Sequence, residues 1–248
     1  MFTSQDFESE VNNLSLKPGI LVRCQDQWVG NVLWKDVGFE YKDKGDANFA
    51  YRKNLTEISS KLPSYRLIIV LESPHTDEFN LCKNSHVQNF IGPANGKTGE
   101  HIRKYLDLPT REFSSVKFVK PNDKYALILM NAVPYQCSLG KSLSGSQNKG
   151  ARKVRDMVFR VCWEKAKHDF VERLSRYLTV HTLVINACTK GESKGGRGGR
   201  WLREMVETSI LACNVPSDCH VRRCHPSSLP NWKAGTPWVH RKSAESNS

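Results

Sequence analysis

Short apolar runs alternate along this chain with longer stretches in which apolar residues recur every three or four positions. Four runs read as buried strands: Leu67–Leu71, Tyr125–Met130, Val180–Ala187 and His220–Cys224. The first, Tyr65-Arg-Leu-Ile-Ile-Val-Leu71, is short, β-branched and continuous, the pattern of a strand covered on both faces. Helices are predicted between the runs at Gly99–Leu106, Ala151–Leu178 and Arg200–Ala212. The long one places Val154, Met157, Val158, Val161, Phe170, Val171 and Leu174 at roughly helical spacing, with basic residues between them. Strands alternating with helices predict an α/β fold with a parallel sheet covered on both faces. Residues 1–62 are polar and mixed, with Trp28, Trp34, Phe39 and Tyr41 among them, and read as an appendage of one helix and short strands. It is expected to pack on a core domain of residues 63–240, leaving 241–248 as a polar, frayed tail. No run approaches the roughly 20 residues of a membrane span, and no stretch near residue 1 reads as an export signal. The expectation is a soluble, intracellular protein, cytoplasmic or nucleoid-associated.

In parallel sheets the ligand sits beyond the carboxyl ends of the strands. The segments to inspect are Glu72-Ser-Pro-His75, Asn131-Ala-Val-Pro-Tyr-Gln136, the Thr189–Arg200 loop, and His225-Pro-Ser-Ser-Leu-Pro-Asn-Trp232. The first, second and fourth bring a carboxylate, an amide and an imidazole to one rim. The third carries Lys190, Lys194, Arg197 and Arg200 among glycines and reads as flexible and cationic. Charge points the same way. Lys plus Arg number 37 against 25 Asp plus Glu, a net charge of +12. Such a balance suits a polyanionic partner, nucleic acid first and an anionic membrane second.

Other motifs fit less well. Gly92-Pro-Ala-Asn-Gly-Lys-Thr98 resembles a phosphate loop, but position 91 is Ile, so the first glycine comes one residue late. The residues before it, 82–89, are too polar for a central strand, and no nucleotide cofactor is expected. Ser73 and Ser227 lack the G-x-S-x-G elbow of a hydrolase. The eight cysteines form no C-x-x-C pair, so free thiols are expected. Cys213, Cys219, Cys224 and His225 are too irregularly spaced for a zinc site, and neither metal nor cofactor is expected. Glu72 could be a solvated loop carboxylate, Asn131 a turn cap and His225 a satisfied loop histidine. Together, each ending a different buried strand, they are harder to dismiss.

Read in order, Leu71-Glu-Ser-Pro74, Ala126-Leu-Ile-Leu-Met-Asn131 and His225-Pro-Ser-Ser-Leu229 resemble the motifs of the uracil-DNA glycosylase superfamily. Asn89-Phe-Ile-Gly-Pro-Ala-Asn95 is similar to a stretch of its thermostable, bacterial branches. The resemblance covers about residues 65–232. It implies a three-layer αβα fold around a central, mostly parallel four-stranded sheet. It also implies a DNA glycosylase that flips a base out and hydrolyses its N-glycosidic bond, acting on DNA as a monomer. By the resemblance, Glu72 would position or activate the attacking water, with Asp77 as understudy. Phe90 would stack on the extruded base, Asn131 would read its edge, and Ser73 and His75 would line its pocket. His225 would stabilise the departing base, Ser227 would touch a phosphate and Leu229 would fill the vacated stack. Gly92 and Pro74 would shape the loops.

The chemistry suits these residue types. Cleavage builds positive charge on the sugar and negative charge on the base, which a carboxylate and a hydrogen-bond donor address. Extruding the base costs a few kcal/mol, which a pocket, a wedge and phosphate contacts offset. The chain departs from the family pattern at Leu71, where a glycine is usual. It departs again at Ser73, where the best-known branch has a second carboxylate, and at His75, where that branch has a tyrosine excluding 5-substituted pyrimidines. The N-terminal C-x-x-C of the iron–sulfur branch is absent. Uracil, a damaged pyrimidine or a hypermodified viral base removed as antiviral defence all remain open as substrate. So does a catalytically inactive DNA-binding relative.

Overall fold

The computed structural model describes residues 1–41, 49, 52–55, 62–80, 89–141, 149–191 and 201–227. Helix α1 (Ser4–Asn13) opens the chain, its first turn closed by a reciprocal capping pair of Thr3 and Asp6. Strands β1 (Gln27–Lys35), β2 (Gly38–Tyr41) and β3 (Lys53–Asn54) follow. The four runs expected to be strands are strands: β4 (Arg66–Leu71), β7 (Lys124–Asn131), β8 (Thr182–Asn186) and β9 (His220–Arg222). A two-residue hairpin, β5 (Phe79–Asn80) and β6 (Asn89–Phe90), stands apart from the main sheet. The expected helices are α2 (Lys97–Tyr105), α3 (Lys149–Tyr177) and α4 (Leu202–Ala212). Among the described residues, no helix is long and apolar enough to cross a membrane.

The main sheet runs β2-β1-β7-β4-β8-β9, with β3 beside β1. Strands β7, β4, β8 and β9 are mutually parallel, while β1 is antiparallel to β7, β2 and β3. The sheet therefore has seven strands, not the four expected. The extra strands come from within residues 1–62. They hide the open edge of β7 and bury Trp34, Phe39 and Tyr41. Their pattern was obscured by Gly30, where the pairing of β1 with β7 shifts register. Gly30 has φ +135°, and a Cβ there would sit 2.6 Å from the Tyr41 hydroxyl, so glycine is required for the bulge.

Every residue of β4 and of β8 is buried, which explains why these strands read as unbroken apolar runs. Helix α3 packs against α1 and α4, and α2 packs near β2. The buried face of α3 carries Arg155, Asp156, Asp169 and Arg173 beside its apolar residues. Arg173 donates to Asp26 Oδ1 (2.6 Å), to Asp169 Oδ2 (2.9 Å) and to the carbonyls of Asn131 (3.0 Å) and Ala132 (3.2 Å). It thereby ties the helix to the exit of β7 and to the segment before β1. Burial alone would raise the Asp169 carboxyl; Arg173 and Arg23 more than offset that and hold it below the ordinary carboxylate range.

Candidate functional site at the carboxyl edge of the sheet

The chain leaves β4 toward β7 and leaves β8 in the opposite direction, toward β9. The crevice between the ends of β4 and β8 is therefore a topological switch point, where open α/β sheets take their ligands. Backbone pairing continues past the strand ends. Val133 donates to Glu72 (3.0 Å), Ala187 to Val70 (2.9 Å) and Arg223 to Asn186 (2.9 Å), so the segments after the parallel strands stay side by side.

Glu72 sits at this crevice, 4 % exposed. Its Oε1 pairs with Arg155 of α3 (3.2 Å) and accepts from the Ser73 hydroxyl (3.3 Å). Arg155 also donates to Asp156 (2.7 Å), so two carboxylates share one guanidinium. Burial raises the Glu72 pKa above the ordinary value, and Arg155 and a hydrogen bond from Thr189 oppose the rise only in part. Cys137 and Cys188 lie close by. Burial, reinforced by neighbouring charge, pushes both thiols far up, so they stay protonated and act as packing groups, not nucleophiles.

His225 follows β9 and is half-buried. Its Nδ1 accepts from the Ser227 backbone N–H (3.2 Å) and lies 2.8 Å from the Ser227 hydroxyl. An acceptor at Nδ1 places the neutral ring's proton on Nε2. Burial, then the nearby Arg155, Arg203, His75 and His101, push its pKa down to about 3. The imidazole is therefore neutral at physiological pH, with one N–H to donate. The loop is held by His101 of α2, whose Nδ1 lies 2.7 Å from the Pro226 carbonyl.

Asn131 ends β7, opposite Leu71 of β4, and is 1 % exposed. Its Nδ2 donates to the Cys24 sulfur (3.0 Å), its side chain also hydrogen-bonds the Glu78 carboxyl and so lowers that group's pKa, and its Oδ1 has no partner. Glu78 ends the short 3₁₀ turn Thr76–Glu78 and is 5 % exposed. It accepts from the Ala94 N–H (3.0 Å), and its Oε2 lies 3.8 Å from the Cys24 sulfur. Burial, only partly opposed by the hydrogen bonds it accepts, raises its pKa to about 8.

Several expected residues lie on this edge. Ser73 touches Glu72, and Ser227 touches His225. Phe90 is half-buried in a small cluster with Ile20, Val22, Cys24 and Phe79, one residue away from Asn131 through Cys24. His75 caps the 3₁₀ turn, its Nδ1 3.3 Å from the Oδ2 of an exposed Asp77. Asp77 thus faces solvent, and the second buried carboxylate beside Glu72 is Asp156. Lys190 is exposed at the base of its loop, its ammonium 4.1 Å from the Trp201 ring centroid. Lys194, Arg197, Arg200 and Leu229 lie outside the described residues. The Gly92–Thr98 stretch follows the small hairpin, not a strand of the main sheet. Among the described residues, no three His, Cys, Asp or Glu side chains are grouped to hold a metal ion.

Sequence reasoning missed Cys24, Glu78, Arg155 and Asp156. Cys24 lies in a segment without pattern, Glu78 in a polar loop, and Arg155 and Asp156 among the polar residues between the apolar positions of the long helix. The exposed cations Lys97, Lys141, Lys149, Arg152, Lys153 and Lys190 all belong to segments that leave this carboxyl edge. Helices α3 and α4 each follow a parallel strand, so both begin at this edge with the positive ends of their dipoles. The arrangement offers a carboxylate of raised pKa, a neutral N–H donor and an unpaired amide oxygen inside a cationic rim. Comparison with protein-family models, with curated proteins and with solved structures finds no match.

Proposed function

We propose that this protein is a monofunctional DNA glycosylase of the uracil-DNA glycosylase kind. In this reading the helices form two outer layers on the sheet, and the protein acts inside the cell as a monomer on DNA. The observation that carries it is the Asn131 Oδ1, buried at a central strand end without a partner. A buried acceptor left unpaired costs about 1–3 kcal/mol, and a base N–H would satisfy it. On the same edge Glu72 follows β4, the neighbour of β7, and His225 follows β9 further along the sheet.

The rim binds the phosphates, so affinity falls steeply with salt. The base leaves the stack and enters beside Asn131 and Phe90. Glu72 orients a water at the sugar C1′ and takes its proton as the C–O bond forms. The electron pair of the C1′–N bond departs with the base. His225 donates from Nε2 to the base oxygen on which charge gathers. The products are an abasic sugar and a free base. His75 in place of a tyrosine gate leaves room for a 5-substituent, so a modified or damaged pyrimidine is favoured alongside uracil.

A second reading has one observation in its favour. The ion pair of Glu72 with Arg155 engages the carboxylate within the protein, as in a catalytically inactive DNA-binding relative. An alkaline-cleavage assay separates the two. Labelled DNA would carry uracil, damaged pyrimidines, or cytosines with bulky 5-substituents including sugars. The proposal expects strand breakage at one of these bases, abolished by Glu72→Gln and by His225→Ala with DNA binding retained. Silence across the panel with salt-sensitive binding intact would establish the inactive relative instead.

A further inference from the structure

Two buried groups beside Asn131 have no role in the steps above. Cys24 comes from the segment before β1, and Glu78 from the turn after β4. Both face the same amide. The Asn131 Nδ2 donates to the Cys24 sulfur at 3.0 Å, the Asn131 side chain also hydrogen-bonds the Glu78 carboxyl, and Glu78 Oε2 lies 3.8 Å from the same sulfur; an amide nitrogen has two hydrogens to give, enough for both acceptors. The two acceptors are themselves held. The Cys24 N–H donates to the Pro134 carbonyl (2.8 Å), just past β7, and the Ala94 N–H donates to Glu78 Oε1 (3.0 Å). Phe79, Ile20, Val22 and Phe90 pack around Cys24 and exclude water from it. The charged and titratable groups facing Glu78 are the Cys24 thiol and the Arg52 guanidinium. Asp26 and Arg173 lie beyond Cys24.

We infer that Cys24 and Glu78 are positioning residues that lock the Asn131 amide with Nδ2 turned into the protein and Oδ1 as its one free edge. Read together with the proposed function, on which this part rests, the amide would select a base that presents an N–H donor. It would have no donor of its own left for a base carbonyl. A freely turning asparagine offers either edge. This one is committed before any ligand arrives, which lowers the ordering cost of binding.

Two measurements test this. The first needs no DNA: nuclear magnetic resonance of the Asn131 side-chain amide and the Glu78 carboxyl carbon. The Asn131 Hδ2 signals should be protected from exchange and should shift as Glu78 titrates near pH 8. Protection should persist in Glu78→Gln and Cys24→Ser, which keep acceptors, and be lost in Glu78→Ala and Cys24→Ala. Signals that exchange freely in the wild type, or that ignore the Glu78 titration, would overturn the lock.

The second is binding of oligonucleotides carrying a non-cleavable 2′-fluoro nucleoside of uracil or of N3-methyluracil, which lacks the N–H. The wild type should prefer the unmethylated base by about tenfold, one hydrogen bond's worth. Glu78→Ala and Cys24→Ala should narrow the preference to within about threefold, while Glu78→Gln and Cys24→Ser retain it. Equal loss in Gln and Ala variants, or none in either, would overturn the positioning role. A protected amide in a protein showing no base preference would leave the lock standing and sink the base-reading function. Where Glu78→Ala fails to fold, Cys24→Ala carries the comparison.

Discussion

Glu78→Gln keeps the shape of a buried side chain and removes its ability to ionise. In the folded chain the Glu78 carboxyl is held up to about 8, against 4.5 when exposed, chiefly because burial penalises its charge. On a rise in pH the unfolded chain loses this proton first. Between the two values the native state holds one proton more than the unfolded state, and stability falls as pH rises. The contribution is complete below the unfolded value of 4.5 and gone above about 8. That gap, at 1.36 kcal/mol for each pH unit, is about 5 kcal/mol at most. Every other titrating group is common to both proteins and cancels in their difference. The assay is urea unfolding of wild type and variant across roughly pH 5 to 8.5, read by linear extrapolation. The expected result is a steady relative gain by the variant of about 1 kcal/mol per pH unit from pH 5 upward, several kcal/mol in all by about pH 8, flattening above that. A difference flat to within about 1 kcal/mol over that range would mean that Glu78 ionises as an ordinary carboxylate, and the reasoning from burial would fail.

Arg173→Met leaves Asp26 with only the Tyr177 hydroxyl and Asp169 with only Arg23 and the Phe2 N–H, and should cost about 3–5 kcal/mol in urea unfolding. A loss below about 1 kcal/mol would show that the two carboxylates do not depend on it. Gly92→Ala forces a residue with φ +155° to carry a Cβ into Gln27 Oε1 and Arg52 Nη1. It should destabilise by about 2 kcal/mol or more, and an unchanged melting temperature would contradict that geometry. His225, pushed down to about 3, is neutral from mildly acid pH upward, so the rate of base release should show no limb near pH 6.5. Because the fold disfavours its charged form, the linked stability is whole above 6.5 and lost as pH falls toward about 3. A His225→Asn variant should not show that acid loss; acid unfolding identical to wild type would refute the depressed value.

The parts of the site that were legible in the sequence are those that end strands. Glu72, Asn131 and His225 each follow an apolar run, and the run itself announces that a loop at the functional edge comes next. The parts that were not legible are those whose meaning depends on a partner far away in the chain. Arg155 looks like any other cation on a basic helix until β4 places Glu72 3.2 Å from it. Asp77 and Glu78 are neighbours in one polar turn, yet one is exposed and the other 5 % exposed. Nothing in the local pattern distinguishes them, because burial is decided by what packs over the turn.

The four parallel strands and the three helices that follow β4, β7 and β8 in the chain, one of them long, follow from the sequence alone. A strand covered on both faces must be apolar without a break, and a helix covering it must be apolar at every third or fourth position. Both patterns are local, so they can be read without knowing the fold. Short strands were expected within residues 1–62, but that they complete the sheet was decided only in three dimensions, by the open edge of β7 that β1 covers and by β2 and β3 pairing on β1. The meeting of Cys24 and Glu78 with Asn131 was decided there too. Cys24 stands 107 residues from Asn131 and 54 from Glu78, and contacts at such separations depend on how the sheet is ordered, which no local periodicity encodes.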